Sequence, residues 1–163
     1  MTLDEMLSAI DDKLPPAPSD AIAAFEQKIS ATLPPDYREF LIRCNGGYAA
    51  GNLVFPGPIG DVSLNHIGGF REESCFSVVE GRDNYQNEYE TRIPRDLIWI
   101  ADDPGGNAFC IGISGSNRGR VFFWDHECEP DLETWDGSFD SAENIDLLAE
   151  SFSEFVSKLS RAA

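Results

Sequence analysis

Two histidines, four cysteines and a dense set of carboxylates are the side chains of this 163-residue chain with types suited to chemistry. His126 lies in Asp125-His126-Glu127, three metal-ligand types in a row. Strand alternation sends Asp125 and Glu127 to one side and His126 to the other, so the three do not converge on one ion. No other histidine stands nearby and no cysteine pair has ligand spacing, so the triplet reads as structural or surface, and no metal or other cofactor is expected. His66, in Leu64-Asn65-His66-Ile67, has no recognisable partner in the sequence. Gly112-Ile113-Ser114-Gly115-Ser116 imitates a nucleophile elbow, but it ends in Ser where that motif needs Gly and leads into a turn instead of a helix. Gly105-Gly106-Asn107 and the glycines of residues 115–119 lack the Lys and Ser/Thr of a phosphate cradle, and Asp102 and Asp103 repel phosphate. No catalytic residue is assigned, and the chain reads as a non-enzyme.

Charge points to binding. Twelve basic against 29 acidic side chains give a net charge of −17, which opposes contact with nucleic-acid backbones and anionic membranes. Residues 121–155 hold eleven carboxylates and neither Lys nor Arg. Asp125, Glu127, Glu129, Asp131, Glu133 and Asp136 are the candidate binding residues of this one-sign surface, and its natural complement is a basic protein. The competing reading is a solvated face, since exposed charges contribute little to stability.

The length suits one domain with its own core. No run approaches the roughly 18 apolar residues of a membrane span. Met1-Thr2-Leu3-Asp4-Glu5-Met6 has no basic and apolar leader pattern, so the cytosol is the expected compartment, and Cys44, Cys75, Cys110 and Cys128, without C-x-x-C spacing, are expected as reduced thiols.

Thr2-Leu3-Asp4-Glu5 has the form of a capping box and predicts a short helix toward Lys13, ended by the proline-rich 14–18 linker. Residues 1–18 are accordingly read as an N-terminal helix and linker, and residues 19–163 as the core. Ser19 is the expected cap of a second helix, and Pro34-Pro35 open a third, in which Tyr37, Phe40, Leu41 and Cys44 share one stripe. Asn45-Gly46-Gly47 ends it. Residues 48–70 predict a loose hairpin, and residues 74–90 a weak helix. Residues 97–101, 107–113 and 120–124, separated by Gly-rich turns, predict an antiparallel meander with helices covering one face. Residues 145–148 form a further strand before Ser151-Phe152-Ser153-Glu154, a second capping box, opens a final helix with Phe152, Phe155, Val156 and Leu159 on its apolar stripe. The fold class is α+β, a single domain with a mixed, mostly antiparallel sheet and helices packed on it.

Four stretches in fixed order resemble one family. Leu33-Pro34-Pro35-Asp36-Tyr37-Arg38-Glu39-Phe40-Leu41 with Asn45-Gly46-Gly47, Ile100-Ala101-Asp102 with Gly105-Gly106-Asn107, Val121-Phe122-Phe123-Trp124-Asp125-His126-Glu127, and Leu148-Ala149-Glu150-Ser151-Phe152-Ser153-Glu154-Phe155 resemble the motifs of the SUKH superfamily of Smi/Knr-type proteins. The resemblance implies the same α+β fold. Bacterial members are mostly immunity proteins that bind and neutralise polymorphic toxins, many of them basic nucleases, and eukaryotic members are regulatory or scaffold proteins. It therefore implies a protein toxin domain as partner, with an endogenous partner of a regulatory scaffold as the alternative, and no catalytic residue to carry over. Because His126 lacks partners at ligand spacing, treatment with a chelator is expected to leave the melting temperature unchanged, and a clear drop would show a structural metal.

Overall fold

The computed structural model describes residues 1–57, 60–70, 77–86 and 91–162. Helix α1 (Leu3–Ser8) has both halves of its capping box, with Glu5 N–H donating to Thr2 Oγ1 at 3.3 Å and Thr2 N–H to Glu5 Oε2 at 2.6 Å. It stops well short of Lys13 because the chain is drawn into extended pairing: Asp11 and Tyr48 exchange backbone hydrogen bonds of 2.7 and 2.9 Å. Helix α2 (Ser19–Lys28) begins at Ser19 itself, so the cap position falls one residue earlier than expected, on Pro18, with Ser19 inside the first turn. Helix α3 (Pro35–Arg43) starts on proline as expected and buries Tyr37, Phe40 and Leu41, with Cys44 continuing the stripe. Gly46 ends it at φ +79, where a Cβ would lie 2.4 Å from the Ile67 carbonyl oxygen, so the turn admits no larger residue.

Seven strands follow in one sheet: β1 (Gly47–Gly57), β2 (Gly60–Ile67), β3 (Leu97–Asp102), β4 (Ala108–Gly112), β5 (Val121–Trp124), β6 (Ile145–Ala149) and β7 (Ser160–Arg161). Their order is β6-β5-β4-β3-β2-β1-β7, and every ladder is antiparallel. Parallel pairing occurs at two isolated bridges, Gly69 with Ser77 and Gly112 with Arg118. The expected hairpin of residues 48–70 is present but longer and more regular than a loose one. It carries an irregularity between Tyr48 and Leu53, where Ala50 and Gly51 take left-handed backbone at φ 52 and 75. Helix α4 (Val78–Tyr85) occupies part of the expected 74–90 helix; residues 74–76 and 87–90 of that expectation lie outside the described residues.

Alternation along the central strands divides large side chains between two faces. Phe109 and Phe123 point one way, toward α5 (Phe152–Lys158), whose Phe155 ring stands 5.7 Å from Phe109 and stacks 5.0 Å from Phe55. Phe152 then joins α5 to α3 through Tyr37 at 5.2 Å and Phe40 at 5.4 Å. Trp99, Cys110, Phe122 and Trp124 point the other way. There Tyr85 of α4 meets Trp124 edge-on at 5.5 Å, and Gly81 lies so close to Trp99 that a Cβ would come within 2.9 Å of the indole. Helices thus cover both faces and not one, which is why β3 and β5 are apolar on both. Arg82 of α4 and Gln86 just after it hold the helix in place, donating to the Leu97 carbonyl at 3.2 and 2.9 Å.

Trp124 and Phe155 are each 1% exposed, at the two faces of this core. Replacing either with Ala is expected to cost about 3 to 5 kcal/mol, measured by denaturant unfolding, and a loss below about 1 kcal/mol would contradict the packing described. Trp124→Phe costs less, because it removes an indole N–H that has no hydrogen-bond partner among the described residues.

Candidate functional site

The acidic segment starts where β5 ends. Asp125 N–H donates to the Asn144 carbonyl at 2.9 Å, and Asn144 Nδ2 returns a bond to the Asp125 carbonyl at 2.7 Å, tying the segment to the entry of β6. The Asp125 carboxylate then accepts from Glu127 N–H at 2.9 Å and caps a one-turn 3₁₀ helix, His126–Cys128. Strand alternation therefore stops at Trp124, and the expected separation of His126 from Asp125 and Glu127 across a strand is replaced by a turn. His126 faces Asn107, whose Oδ1 accepts from the histidine backbone N–H at 3.1 Å and lies 2.9 Å from Nδ1. Asn107 is itself held by Asp103, which accepts from its backbone N–H at 2.8 Å and its side-chain amide at 2.9 Å. His126 braces two turns against each other. Among the described residues no three His, Cys, Asp or Glu side chains are grouped to hold a metal.

The six candidate carboxylates divide by their own partners. Asp125, Asp131 and Asp136 build turns. Asp131 accepts from Glu133 N–H at 3.1 Å, while Asp136 accepts from Ser141 Oγ at 2.7 Å and Ser138 N–H at 2.9 Å, bonds that hold its carboxyl below the usual carboxylate range. Glu129 is largely covered, its side chain 16% exposed and paired with Arg92. The Arg92 guanidinium also lies 5.4 Å from the Trp124 ring and 5.8 Å from Tyr85, so the pair is seated on the aromatic cluster of one sheet face. Local sequence offered no cation for this segment because Arg92 stands 37 residues away. Glu127 and Glu133 are exposed, and their carboxylates hydrogen-bond to no described residue. Cys128 is exposed beside Asp125, whose charge raises the thiol's pKa and keeps it a poor nucleophile. Cys44 and Cys110 are free and buried, and Cys75 lies outside the described residues.

Away from the acidic segment, a concavity of about 590 Å³ is lined by Asp12, Lys13, Tyr48 and His66 among others. Here the structure supplies the partner that the sequence did not show for His66. The register that pairs Ile67 with Ala101 sets His66 opposite Asp102, which accepts from the His66 backbone N–H at 2.8 Å and stands 3.1 Å from Nδ1. Burial raises the Asp102 carboxyl above its ordinary pKa, against the lowering effect of these bonds. A histidine oriented by an aspartate is part of a hydrolytic constellation, but the described lining contains no Ser, Thr or Cys to act as nucleophile. The pairing was legible only through strand register, which one sequence does not provide.

The family model described as SMI1 / KNR4 family (SUKH-1) matches residues 16–158. The chain belongs to that family. It is also similar to the SPbeta prophage-derived uncharacterized protein YokK of Bacillus subtilis (strain 168), with 28% identity over 155 residues, 86% of this chain and 73% of that protein.

In this SUKH-1 chain the motif residues hold backbone. Asn45 Oδ1 accepts from Phe70 N–H at 2.7 Å, and Gly69 approaches so closely that a Cβ would fall 1.8 Å from the Asn45 carbonyl oxygen. The Gly105-Gly106-Asn107 turn and the Asp125-His126-Glu127 segment lock together through Asn107. Ser151 accepts from Glu154 N–H at 3.0 Å as a cap, while Glu154 reaches back to Glu150 N–H at 2.8 Å in place of the cap residue itself. Glu129→Ala is expected to lower stability by about 1 to 2 kcal/mol by removing a largely covered, charge-assisted bond to Arg92. Glu127→Ala and Glu133→Ala should each stay within about 0.5 kcal/mol, and equal losses at all three positions in urea unfolding would show that the Arg92 pair carries no special weight.

Proposed function

We propose that this SUKH-1 protein is an immunity protein that acts in the cytosol by binding a bacterial toxin domain, a basic one of nuclease type, and occluding its active site. The observation that carries the reading is the acidic segment from Asp125 to Asp136, with Glu127 and Glu133 exposed and uncommitted, on a chain of net charge −17. Complementary charge raises association toward about 10⁸ to 10⁹ M⁻¹s⁻¹, a useful property for a protein that must capture an incoming toxin before it acts. The prophage origin named for the Bacillus subtilis relative supports a setting of conflict between genomes. Binding is favoured over catalysis because the neighbouring Asp125 raises the pKa of the exposed Cys128 thiol and makes it a poor nucleophile.

The division of labour among the six residues follows from their partners. Glu127 and Glu133 steer; Asp125, Asp131 and Asp136 shape the turns that present them; Glu129 anchors the segment through Arg92. Glu127→Lys and Glu133→Lys are therefore expected to slow association with the toxin domain encoded beside this gene by about threefold or more at low salt, and to flatten its salt dependence while folding is preserved. Measuring association and dissociation at two salt concentrations decides the matter. If neither reversal changes either rate in a folded protein, the interface lies elsewhere; if the neighbouring genes encode no toxin and the partner is an endogenous protein, the regulatory-scaffold reading replaces immunity.

A further inference from the structure

We propose that the open edge of β6 is a docking strand that takes an extended segment of a partner protein, with apolar and basic residues alternating along that segment. The proposal rests on the reading of this chain as a protein-binding module and adds to it a mode of recognition and a location outside the Asp125 to Asp136 segment.

β6 is the terminal strand on one side of the sheet. Asp125 N–H donates to the Asn144 carbonyl, and the same register pairs Trp124 with Ile145, Phe123 with Asp146 and Phe122 with Leu147. Antiparallel ladders alternate, so Asp146 turns its backbone N–H and C=O toward β5, and Ile145 and Leu147 turn theirs outward. Among the described residues nothing bonds to those outward groups. Proteins blunt such edges with bulges and lysines, and this one does so at one end only. The register shifts at Leu148, and Lys158 Nζ donates to the Leu148 carbonyl at 2.8 Å. The stretch from Ile145 to Leu147 is left open, and Leu147 is 49% exposed, one of three large apolar side chains exposed among the described residues. Ile145 and Phe139 sit half-buried beside it, with Phe139 packed 5.0 Å from Phe122 on the same sheet face.

Charge selects the occupant. Asp140, Glu143 and Asp146 are exposed around the open stretch, and residues 121–157 contain no Lys or Arg. A second copy pairing about a two-fold axis centred on Leu147 would set the two Asp146 carboxylates diagonally across the new ladder, about 7 to 8 Å apart, where like charges repel without a cation between them. A heterologous strand suffers no such penalty if it places apolar residues beside Ile145 and Leu147 and a basic residue beside Asp146. Backbone pairing would supply the affinity and the alternating side chains the selectivity, as in other cases of strand addition.

The probes are the peptides Val-Lys-Val-Lys-Val and Val-Glu-Val-Glu-Val, titrated into isotope-labelled protein and followed by amide chemical shifts and hydrogen exchange. The lysine peptide is expected to shift the amides of residues 144–148 and to slow exchange at Ile145 and Leu147, and the glutamate peptide to do neither. Leu147→Pro removes an outward N–H while sparing the β5 ladder, and is expected to abolish the shifts. Leu147→Thr keeps the backbone donor and the strand propensity, and is expected to weaken them. Shifts centred elsewhere, an equal response to the glutamate peptide, or an undiminished response in Leu147→Pro would overturn the proposal. A dimer in sedimentation whose Ile145 and Leu147 amides are already protected would overturn it in favour of a second copy. Toxin binding that survives Leu147→Pro while the lysine peptide gives no response removes the edge and leaves the immunity reading standing. A positive peptide response with no toxin binding does the reverse.

Discussion

Strands β3, β4 and β5 are covered on both faces, by α5 on the side of Phe109 and by α4 on the side of Trp99 and Trp124. A sheet packed in this way has little but its edges and turns left for contact with another molecule. The remaining features follow from that constraint. The turn between β3 and β4, the turn after β5 and the entry of β6 come together at one end of the meander, because Asn107 meets His126 and Asn144 meets Asp125. Glu127 and Glu133 are carried by a stretch, residues 125–143, that sends no buried hydrophobic side chain into the core.

A charge of −17 on 163 residues sets a cost of self-repulsion, and the fold answers it selectively. Arg120 pairs with Glu150 and Lys158 with Glu154 at exposed positions, where such pairs contribute little. Arg92 is placed differently. It is sandwiched against Tyr85 and Trp124 and bound to Glu129, so it joins the aromatic core to the base of the acidic segment. One cation thereby neutralises the carboxylate nearest the core and leaves those farther out unopposed. Charge repulsion within the segment is relieved where it would strain packing and retained where it faces solvent.

Much of the fold was legible in the sequence because local signals and burial agreed. Pro35 opening α3, the Thr2 capping box, the three strands of the meander and the buried stripe of α5 all follow from patterns a few residues long. What was not legible depended on partners far along the chain. Helix α1 ends early because Asp11 pairs with Tyr48, α4 covers the second face of the sheet, and β7 exists only because Ser160 and Arg161 find Val54 and Leu53. The same holds for the sites. Periodicity applied to Asp125-His126-Glu127 assumed a strand where the Asp125 cap makes a turn, and His66 looked isolated because Asp102 is its neighbour across a register and 36 residues away in sequence.

The brace at His126 is built from motif residues alone. Asp103, Asn107 and His126 spend hydrogen-bonding groups on backbone and on one another, which fixes the path of two turns without using the Glu127 or Glu133 carboxylate. Their presentation depends on neighbours that do double duty, and Asp136 shows how. The Ser141 hydroxyl and Ser138 N–H that shape its turn also stabilise its ionised form and so lower its pKa. Shape and potential are then set by the same bonds. A substitution that loosened the turn would move the carboxylate and return its pKa toward the ordinary value, whereas exchanging Glu127 or Glu133 would change the field and leave the turn in place.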